Sequence, residues 1–110
     1  MKFPIQEELL NELKEKSRNS EKEICGFLIK KNKVYNEFVE CFNSHPDPMN
    51  YFLISPKQCV FEDDSILFHS HPLHSDLIGF SDWDLENQQY FYLKMVVYSV
   101  KNNEFYYQTI

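Results

Sequence analysis

Apolar residues near the start of the chain recur with the spacing of an amphipathic helix. Four of them share one face of a helical projection: Ile5, Leu9, Leu10 and Leu13. Pro4 suits a first helical turn, because the N–H that proline lacks would have no partner there. The polar run at residues 17–22 ends the apolar pattern. The pattern therefore predicts a helix over residues 4–16.

Short apolar runs through the rest of the chain indicate β-strands. They cover residues 24–30, 34–40, 51–54, 65–68, 94–100 and 104–109. Runs of this length, rich in β-branched and aromatic residues, are typical of buried strands. The last two runs flank Asn102 and Asn103, which tolerate the left-handed backbone of a hairpin turn. The Pro-rich residues 43–49 and residues 72–80 are predicted loops.

Capping signals predict two further helices. Ser55 begins a short one that covers residues 55–61. Ser81, followed three residues later by Asp84, begins a second one that reaches about Tyr90. The predicted order is a helix, three strands, a helix, a strand, a helix and two strands. This order indicates an α/β or α+β sandwich, in which helices flank a central mixed β-sheet.

The composition is typical of one folded domain. The sequence has 110 residues, of which 43% are hydrophobic and 16% aromatic, so residues 1–110 are expected to form a single domain. The formal net charge of -6 argues against a nucleic-acid-binding protein, because such proteins normally carry a basic patch. No apolar stretch approaches the ~20 residues that a membrane-spanning helix needs, so no membrane partner is expected.

Cysteine usage and the N-terminal residues indicate a cellular compartment. The three cysteines, Cys25, Cys41 and Cys59, form no C-x-x-C pair, and each has apolar neighbours. Buried reduced thiols are therefore expected, and a reducing compartment with them. The first twelve residues contain three glutamates where a secretion signal would have a basic and then an apolar run. Together these features predict a cytoplasmic protein.

His69 and His71 are candidate metal ligands. They stand two residues apart at the end of a predicted strand, and extended backbone turns both imidazoles to one face. Asp84 is predicted at the third position of the helix that Ser81 caps, where its carboxylate points back toward the helix N-terminus. Two imidazoles and one carboxylate leave the fourth position of a tetrahedral zinc ion open for water. That arrangement is typical of catalytic zinc sites.

Each part of this pattern also has an ordinary structural explanation. A pair of histidines at a strand end is commonly a surface feature. A serine followed three residues later by an acid is a common capping box. The metal-site hypothesis depends on their succession as strand, loop and helix within residues 68–88.

The combined pattern resembles the JAMM motif of the JAB/MPN metallopeptidases. HSHP at residues 69–72 is followed by S-x-x-D at residues 81–84, as in that motif. The family motif begins with a distant glutamate in a stretch like E-x-C-G-h-L, where h is apolar, and residues 23–28 read E-I-C-G-F-L. Residues 43–56 are similar to the small prokaryotic JAB subgroup and to the JAB domain of phage tail assembly proteins. The resemblance covers about residues 3–100.

The resemblance implies a zinc-dependent peptidase with an assigned set of site residues. His69, His71 and Asp84 would hold Zn²⁺, Glu23 would act as the general base, and Ser81 would donate a hydrogen bond to the tetrahedral oxyanion. The implied fold is the JAB/MPN sandwich, which is similar to that of cytidine deaminases.

The resemblance also implies a substrate class. Enzymes of this family hydrolyse peptide or isopeptide bonds, so a protein or peptide substrate is expected. It would be a ubiquitin-like conjugate or precursor, as for deubiquitinases, or a phage-tail or cell-wall substrate. A prokaryotic or phage protein is expected, cytoplasmic or associated with the virion. The alternative is a non-catalytic MPN-type scaffold that mediates protein–protein assembly.

The chain departs from the family in the spacing before the aspartate. The usual ten intervening residues after the second histidine would select Asp82, whereas the S-x-x-D register selects Asp84 after twelve. We prefer Asp84 because it preserves the capping geometry and because a slightly longer loop costs little free energy. Asp82 stays as the alternative ligand.

Other residues near the motif are expected to have structural roles. Trp83 is predicted to lie in the core or in the wall of a cleft, and residues 90–92 are predicted to form a core cluster at the helix end. His45 and His74 are expected to be exposed loop residues. Glu21 is expected at the surface.

Overall fold

The computed structural model describes residues 3–58 and 60–110. Within that part of the chain there are two α-helices, α1 (Glu7–Arg18) and α2 (Asp82–Phe91). Five strands form one sheet: β1 (Cys25–Lys31), β2 (Val34–Cys41), β3 (Ile66–His71), β4 (Lys94–Ser99) and β5 (Glu104–Gln108). A short 3-10 helix, Pro56–Gln58, lies between β2 and β3.

The sheet is mixed, with the strand order β2-β1-β3-β4-β5. All neighbouring strands are antiparallel except β3 and β4, which are parallel. Parallel neighbours need a crossover connection, and α2 supplies it here. The predicted α+β architecture around a mixed sheet is therefore confirmed at this level. The five predicted strands at residues 24–30, 34–40, 65–68, 94–100 and 104–109 are found with small shifts of their ends.

The two faces of the sheet bury different apolar clusters. One cluster combines α1 with even-numbered residues of the central strands and includes Leu9, Leu13, Leu28, Phe68 and Val96. The other lies on the face nearer α2 and includes Phe27, Phe52, Leu67, Phe91 and Met95. Side chains alternate between the faces of a strand, so His69 and His71 lie on the same face of β3 as Leu67.

Gly26 allows β1 and β2 to pack unusually closely. A Cβ atom at this position would overlap the carbonyl oxygen of Val39 and lie 2.7 Å from the ring of Phe38. The neighbouring backbone belongs to a paired strand and cannot move away alone. Only glycine fits this position without a shift of β2.

The first helix begins three residues later than predicted. Residues 4–6 are not helical, because they pair with the edge of β2. The Tyr35 N–H donates to Pro4 O at 2.8 Å, and the Gln6 N–H donates to Tyr35 O at 3.0 Å. Of the four apolar residues predicted on one helical face, Ile5 forms a bridge to Tyr35 instead, and Leu9 and Leu13 are buried in α1.

The prediction of a strand at residues 51–54 is wrong, although buried and exposed side chains alternate there as they do in a strand. Phe52 and Ile54 are buried, whereas Tyr51 and Leu53 are exposed. The backbone does not join a ladder, however. The Leu53 N–H donates to Oδ1 of Asn43 at 3.1 Å, and Leu53 O accepts from the Ser44 N–H at 2.9 Å. The predicted helix at residues 55–61 is only the 3-10 turn at Pro56–Gln58.

Cys25 and Cys41 are buried thiols, as expected, and Cys59 lies outside the described residues. Burial is the main cause that raises the pKa of the Cys25 thiol far above its ordinary value, so this thiol stays protonated.

Within residues 3–58 and 60–110, neither helix has the length and apolar character to span a membrane.

Candidate metal centre

The end of β3 presents two imidazoles to one carboxylate. His69 and His71 are 0% and 1% exposed. Nε2 of His69 lies 3.1 Å from Oδ1 of Asp84, and Nε2 of His71 lies 3.1 Å from Oδ2 of the same residue. The period-two spacing of the strand therefore produces the convergence that the sequence predicted.

A capping box at the start of α2 holds Asp84 in place. The Asp84 N–H donates to Oγ of Ser81 at 3.0 Å, and the Ser81 N–H donates to Oδ2 of Asp84 at 2.9 Å. The carboxylate is thereby fixed beside the N-terminal end of the helix dipole, where negative charge is favoured. Asp82 is exposed in the first helical turn. Of the two aspartates considered from the sequence, Asp84 is the one that contacts the imidazoles.

Glu23 approaches the same cluster from the start of β1. The antiparallel register pairs Cys25 with His69, so Glu23, two residues earlier, lies level with His71. Backbone contacts hold it there. The Glu23 N–H donates to Pro48 O at 2.8 Å. The Glu23 side chain is only 4% exposed, which is unusual for a glutamate in a charged run.

These elements bring four side chains together: Glu23, His69, His71 and Asp84. One ligand-type atom from each lies within 4.8 Å of all the others, and all four residues are buried. A buried group of two carboxylates and two imidazoles could bind a metal ion. The group does not by itself specify which metal, because histidine and carboxylate ligands suit several divalent ions.

The donor atoms fit a metal ion by two observations. First, Nε2 of His69 and Nε2 of His71 each lie 3.1 Å from an oxygen of the same carboxylate, so both imidazoles present a ring nitrogen to Asp84. Second, Oε1 of Glu23 is buried and makes no hydrogen bond within the described residues. Buried polar atoms are nearly always satisfied, so atoms of this kind in a cluster of ligand-type groups indicate a binding site.

The protonation states of His69 and Asp84 are the ones that metal binding requires. Burial lowers the pKa of His69 and outweighs the opposing attraction of Asp84, so this imidazole is neutral. Burial opposes ionisation of Asp84, but the imidazoles and the hydrogen bond from Ser81 outweigh it and hold the pKa of Asp84 well below its ordinary value. Neutral imidazoles and ionised carboxylates are the metal-binding forms.

The pKa of Glu23 is shifted in the opposite direction from that of Asp84. Burial, followed by the negative charges of Asp84 and Asp47, raises the pKa of Glu23 from 4.5 to about 10. A carboxyl group in this environment readily holds a proton near neutral pH. Carboxyl groups with strongly raised pKa values are frequent at functional sites.

Two residues that support the cluster were not singled out from the sequence. The side chain of Phe52 stacks on His69, with ring centroids 4.5 Å apart and an interplanar angle of 22°. Asn43 organises the loop beside Glu23 through five hydrogen bonds. Nδ2 donates to the carbonyls of Glu23, Pro48 and Tyr51, and Oδ1 accepts from the N–H groups of His45 and Leu53. No sequence signal distinguishes this asparagine from others in Pro-rich loops.

The remaining histidines lie apart from the four-residue cluster. His74 is exposed, as predicted, and its Nε2 lies 2.9 Å from Met49 O. His45 was predicted to be exposed but is partly buried, because its ring stacks on Tyr51 at 4.9 Å and contacts Trp83 at its edge. Glu21 is exposed, as predicted.

Comparisons with known proteins do not identify the chain. No protein-family model matches it, and no curated protein matches it. The resemblance to the JAB/MPN family therefore stays a prediction that depends on the motif residues themselves. The geometry adds that these residues, distant in sequence, meet in one buried cluster.

Proposed function

We propose that this protein is a zinc-dependent metallopeptidase of the JAMM type that hydrolyses a peptide or isopeptide bond. The observation that carries the proposal is the convergence of Glu23, His69, His71 and Asp84 within 4.8 Å in a buried cluster. These are the residues that the motif resemblance assigns to metal binding and to general-base catalysis.

In this proposal three side chains hold the metal: His69, His71 and Asp84. Two nitrogen ligands and one oxygen ligand form a catalytic type of zinc set that leaves a position open. When bound, zinc would polarise a water molecule and lower its pKa toward ~7. The capping box of α2 and the period of β3 hold the ligands before any metal binds.

Glu23 is the proposed proton carrier. Oε1 is buried without a hydrogen-bond partner in the described part of the chain. In the metal-free protein the pKa of Glu23 is raised to about 10, so the carboxyl is protonated near neutral pH. A cation held by His69, His71 and Asp84 would favour its ionised form, which would accept a proton from water and return it to the leaving amine.

Ser81 is proposed to stabilise the reacting carbonyl oxygen. Its Oγ accepts a hydrogen bond from the Asp84 N–H, which leaves the hydroxyl hydrogen available for donation. A donor aimed at a developing oxyanion typically contributes ~3–4 kcal/mol to lowering the barrier.

The substrate class follows from the family resemblance. We propose a protein or peptide substrate: a ubiquitin-like conjugate or precursor, or a phage-tail or cell-wall component. The corresponding locations are the cytoplasm and the virion. Hydrolysis would need no nucleophilic serine or cysteine, because the metal and Glu23 activate water.

Metal content and hydrolysis test the proposal separately. Purified protein should hold about one zinc ion per chain by elemental analysis, and His71→Ala should lose it. Glu23→Gln should retain zinc but lose hydrolysis of quenched-fluorescence peptides and isopeptide-linked ubiquitin-like conjugates. Glu21→Gln, two residues away and exposed, is the matched control and should keep both properties.

Two results would overturn parts of the proposal. A folded protein that binds no zinc would favour the non-catalytic scaffold. A Glu23→Gln variant with unchanged turnover would exclude Glu23 as the general base while leaving the metal site intact.

A further inference from the structure

A pocket separate from the metal cluster lies beside α2. It has a volume of about 360 Å³ and is formed between one face of this helix and residues 53–56. Helix residues Trp83, Glu86 and Tyr90 line one wall, with the i, i+3, i+7 spacing of a single helical face. None of the four residues of the metal cluster lines this pocket. Pockets of this size are at the small end of ligand sites.

The walls combine apolar and aromatic surface with one carboxylate. Leu53, Ile54 and Pro56 form the wall opposite the helix. Glu86 is the only charged residue in the lining, and it forms no ion pair within residues 3–58 and 60–110. Lys57 follows Pro56 in sequence but does not line the pocket.

The aromatic side of the pocket is partly pre-formed. The indole Nε1–H of Trp83 donates to Phe52 O at 2.8 Å, which fixes the ring in place. Trp83 thus forms part of the wall of this pocket. Tyr90 is 73% exposed, so the prediction that it belongs to the core is wrong. Residue 90 lies past the edge of the helix face that packs on the sheet, whereas Phe91 is buried.

We propose that this pocket binds a peptide segment of a partner protein by taking up a lysine or arginine side chain. The alkyl stem of such a side chain covers the apolar wall, while its cationic end meets the indole and phenol rings and the Glu86 carboxylate. A purely apolar side chain would leave the exposed Glu86 carboxylate without a partner, and an acidic one would be repelled. The net charge of -6 also attracts basic segments.

The sequence provides a specific probe for this site. Trp83 is the only tryptophan of the chain, so intrinsic fluorescence reports directly on the pocket. We would titrate the protein with acetylated, amidated pentapeptides of the form Ala-Leu-X-Leu-Ala, where X is lysine, arginine, norleucine or glutamate. Amide chemical shifts of Glu86 and Tyr90 provide a second readout. The lysine and arginine peptides should give saturable changes and bind about tenfold more tightly than the norleucine peptide.

Two variants of equal charge separate this pocket from general electrostatics. Glu86→Gln should weaken binding of the lysine peptide about tenfold. Asp82→Asn removes the same charge from the same helix but outside the pocket, and should leave the affinity unchanged. Binding should be equal with zinc and with EDTA, so the result does not depend on whether the proposed hydrolysis is correct.

Three outcomes would overturn the inference. The first is that the norleucine peptide binds as tightly as the lysine peptide, which would mean that the pocket recognises only apolar surface. The second is that Glu86→Gln and Asp82→Asn weaken binding equally, which would mean that the attraction is non-specific. The third is that neither Trp83 fluorescence nor the amide shifts of α2 respond at millimolar peptide, which would mean that the pocket does not bind such segments.

Discussion

The buried carboxyl of Glu23 leads to a prediction about the stability of the metal-free protein. Burial and the nearby Asp84 raise the pKa of Glu23 from 4.5 to about 10. In the unfolded chain this group ionises near its ordinary pKa. Between those two values the folded state therefore holds one proton more than the unfolded state. The free energy of unfolding must then fall as the pH rises through this range.

The size of the effect follows from proton linkage. One extra bound proton in the folded state corresponds to a loss of about 1.4 kcal/mol for each pH unit. From about pH 7 to about pH 8.5 the metal-free protein should therefore lose about 2 kcal/mol of stability. That is a large fraction of the ~5–15 kcal/mol that stabilises a typical domain.

The window is chosen so that other shifted groups do not contribute. His69 has a lowered pKa, so it makes stability rise with pH, but only below its ordinary value of 6.5. The stability that the lowered pKa of Asp84 contributes is complete above its ordinary value of 3.8. Cys25 has a raised pKa, and its contribution is lost only as the pH approaches the ordinary thiol value of 9.0 and beyond. Glu23 is the shifted group that acts between these limits.

Urea unfolding in EDTA at constant ionic strength measures the effect. The unfolding free energy of the wild-type protein should fall with pH at the predicted rate. That of Glu23→Gln should not change with pH, and this variant should be more stable than wild type at the upper end of the window. Glu21→Gln is the control, because it removes an exposed carboxyl from the same run and should keep the wild-type slope. Zinc should reduce the slope, because a cation beside Glu23 favours its ionised form.

Equal pH dependence of the unfolding free energy in wild type and Glu23→Gln would refute this reasoning. They would mean that Glu23 is hydrated in solution and titrates near its ordinary pKa. The carboxyl would then not be enclosed with Asp84 as the structure describes.

Three further predictions concern the metal ligand, the sheet and the supporting loop. Asp84→Asn keeps the size of the capping side chain and should lower zinc affinity more than about 100-fold in a chelator competition, whereas Asp82→Asn should not change it. Gly26→Ala should destabilise the protein by about 3 kcal/mol in urea unfolding, because its Cβ would overlap the Val39 carbonyl. Asn43→Ala, which removes five hydrogen bonds, should cost about 2–3 kcal/mol. Asn43→Asp should cost at least as much, because its second carboxylate oxygen would face the three carbonyl oxygens to which Nδ2 donates. Equal zinc affinities for the two aspartate variants, a Gly26→Ala protein as stable as wild type, or an Asn43→Asp protein more stable than Asn43→Ala would contradict these expectations in turn.

The features of the site that follow local rules could be predicted from the sequence. The imidazoles of His69 and His71 share a face because a strand has a period of two residues. The carboxylate of Asp84 points back to Ser81 because the third position of a capped helix does so. These relations involve neighbours along the chain, so backbone geometry alone defines them, and both are present in the structure.

Features that depend on distant parts of the chain could not be derived in this way. The residues at 51–54 have the alternation of a strand, yet the backbone of Leu53 bonds to Asn43 and Ser44 and not to a neighbouring strand. The first helix begins late because residues 4–6 pair with β2 instead. Local propensity does not show which edge is available to a segment, and that competition decides its structure.

The sequence by itself determined where five strands lie along the chain, the capped second helix and the pairing of a histidine strand with an aspartate. The motif resemblance assigned Glu23 to this group, but no local rule of the sequence could place it there. The register of β1 against β3 and the loop held by Asn43 carry it to the imidazoles. Burial then gave this carboxyl its raised pKa. The physical reason is that periodicity acts within one element, whereas proximity and desolvation arise only when elements pack together.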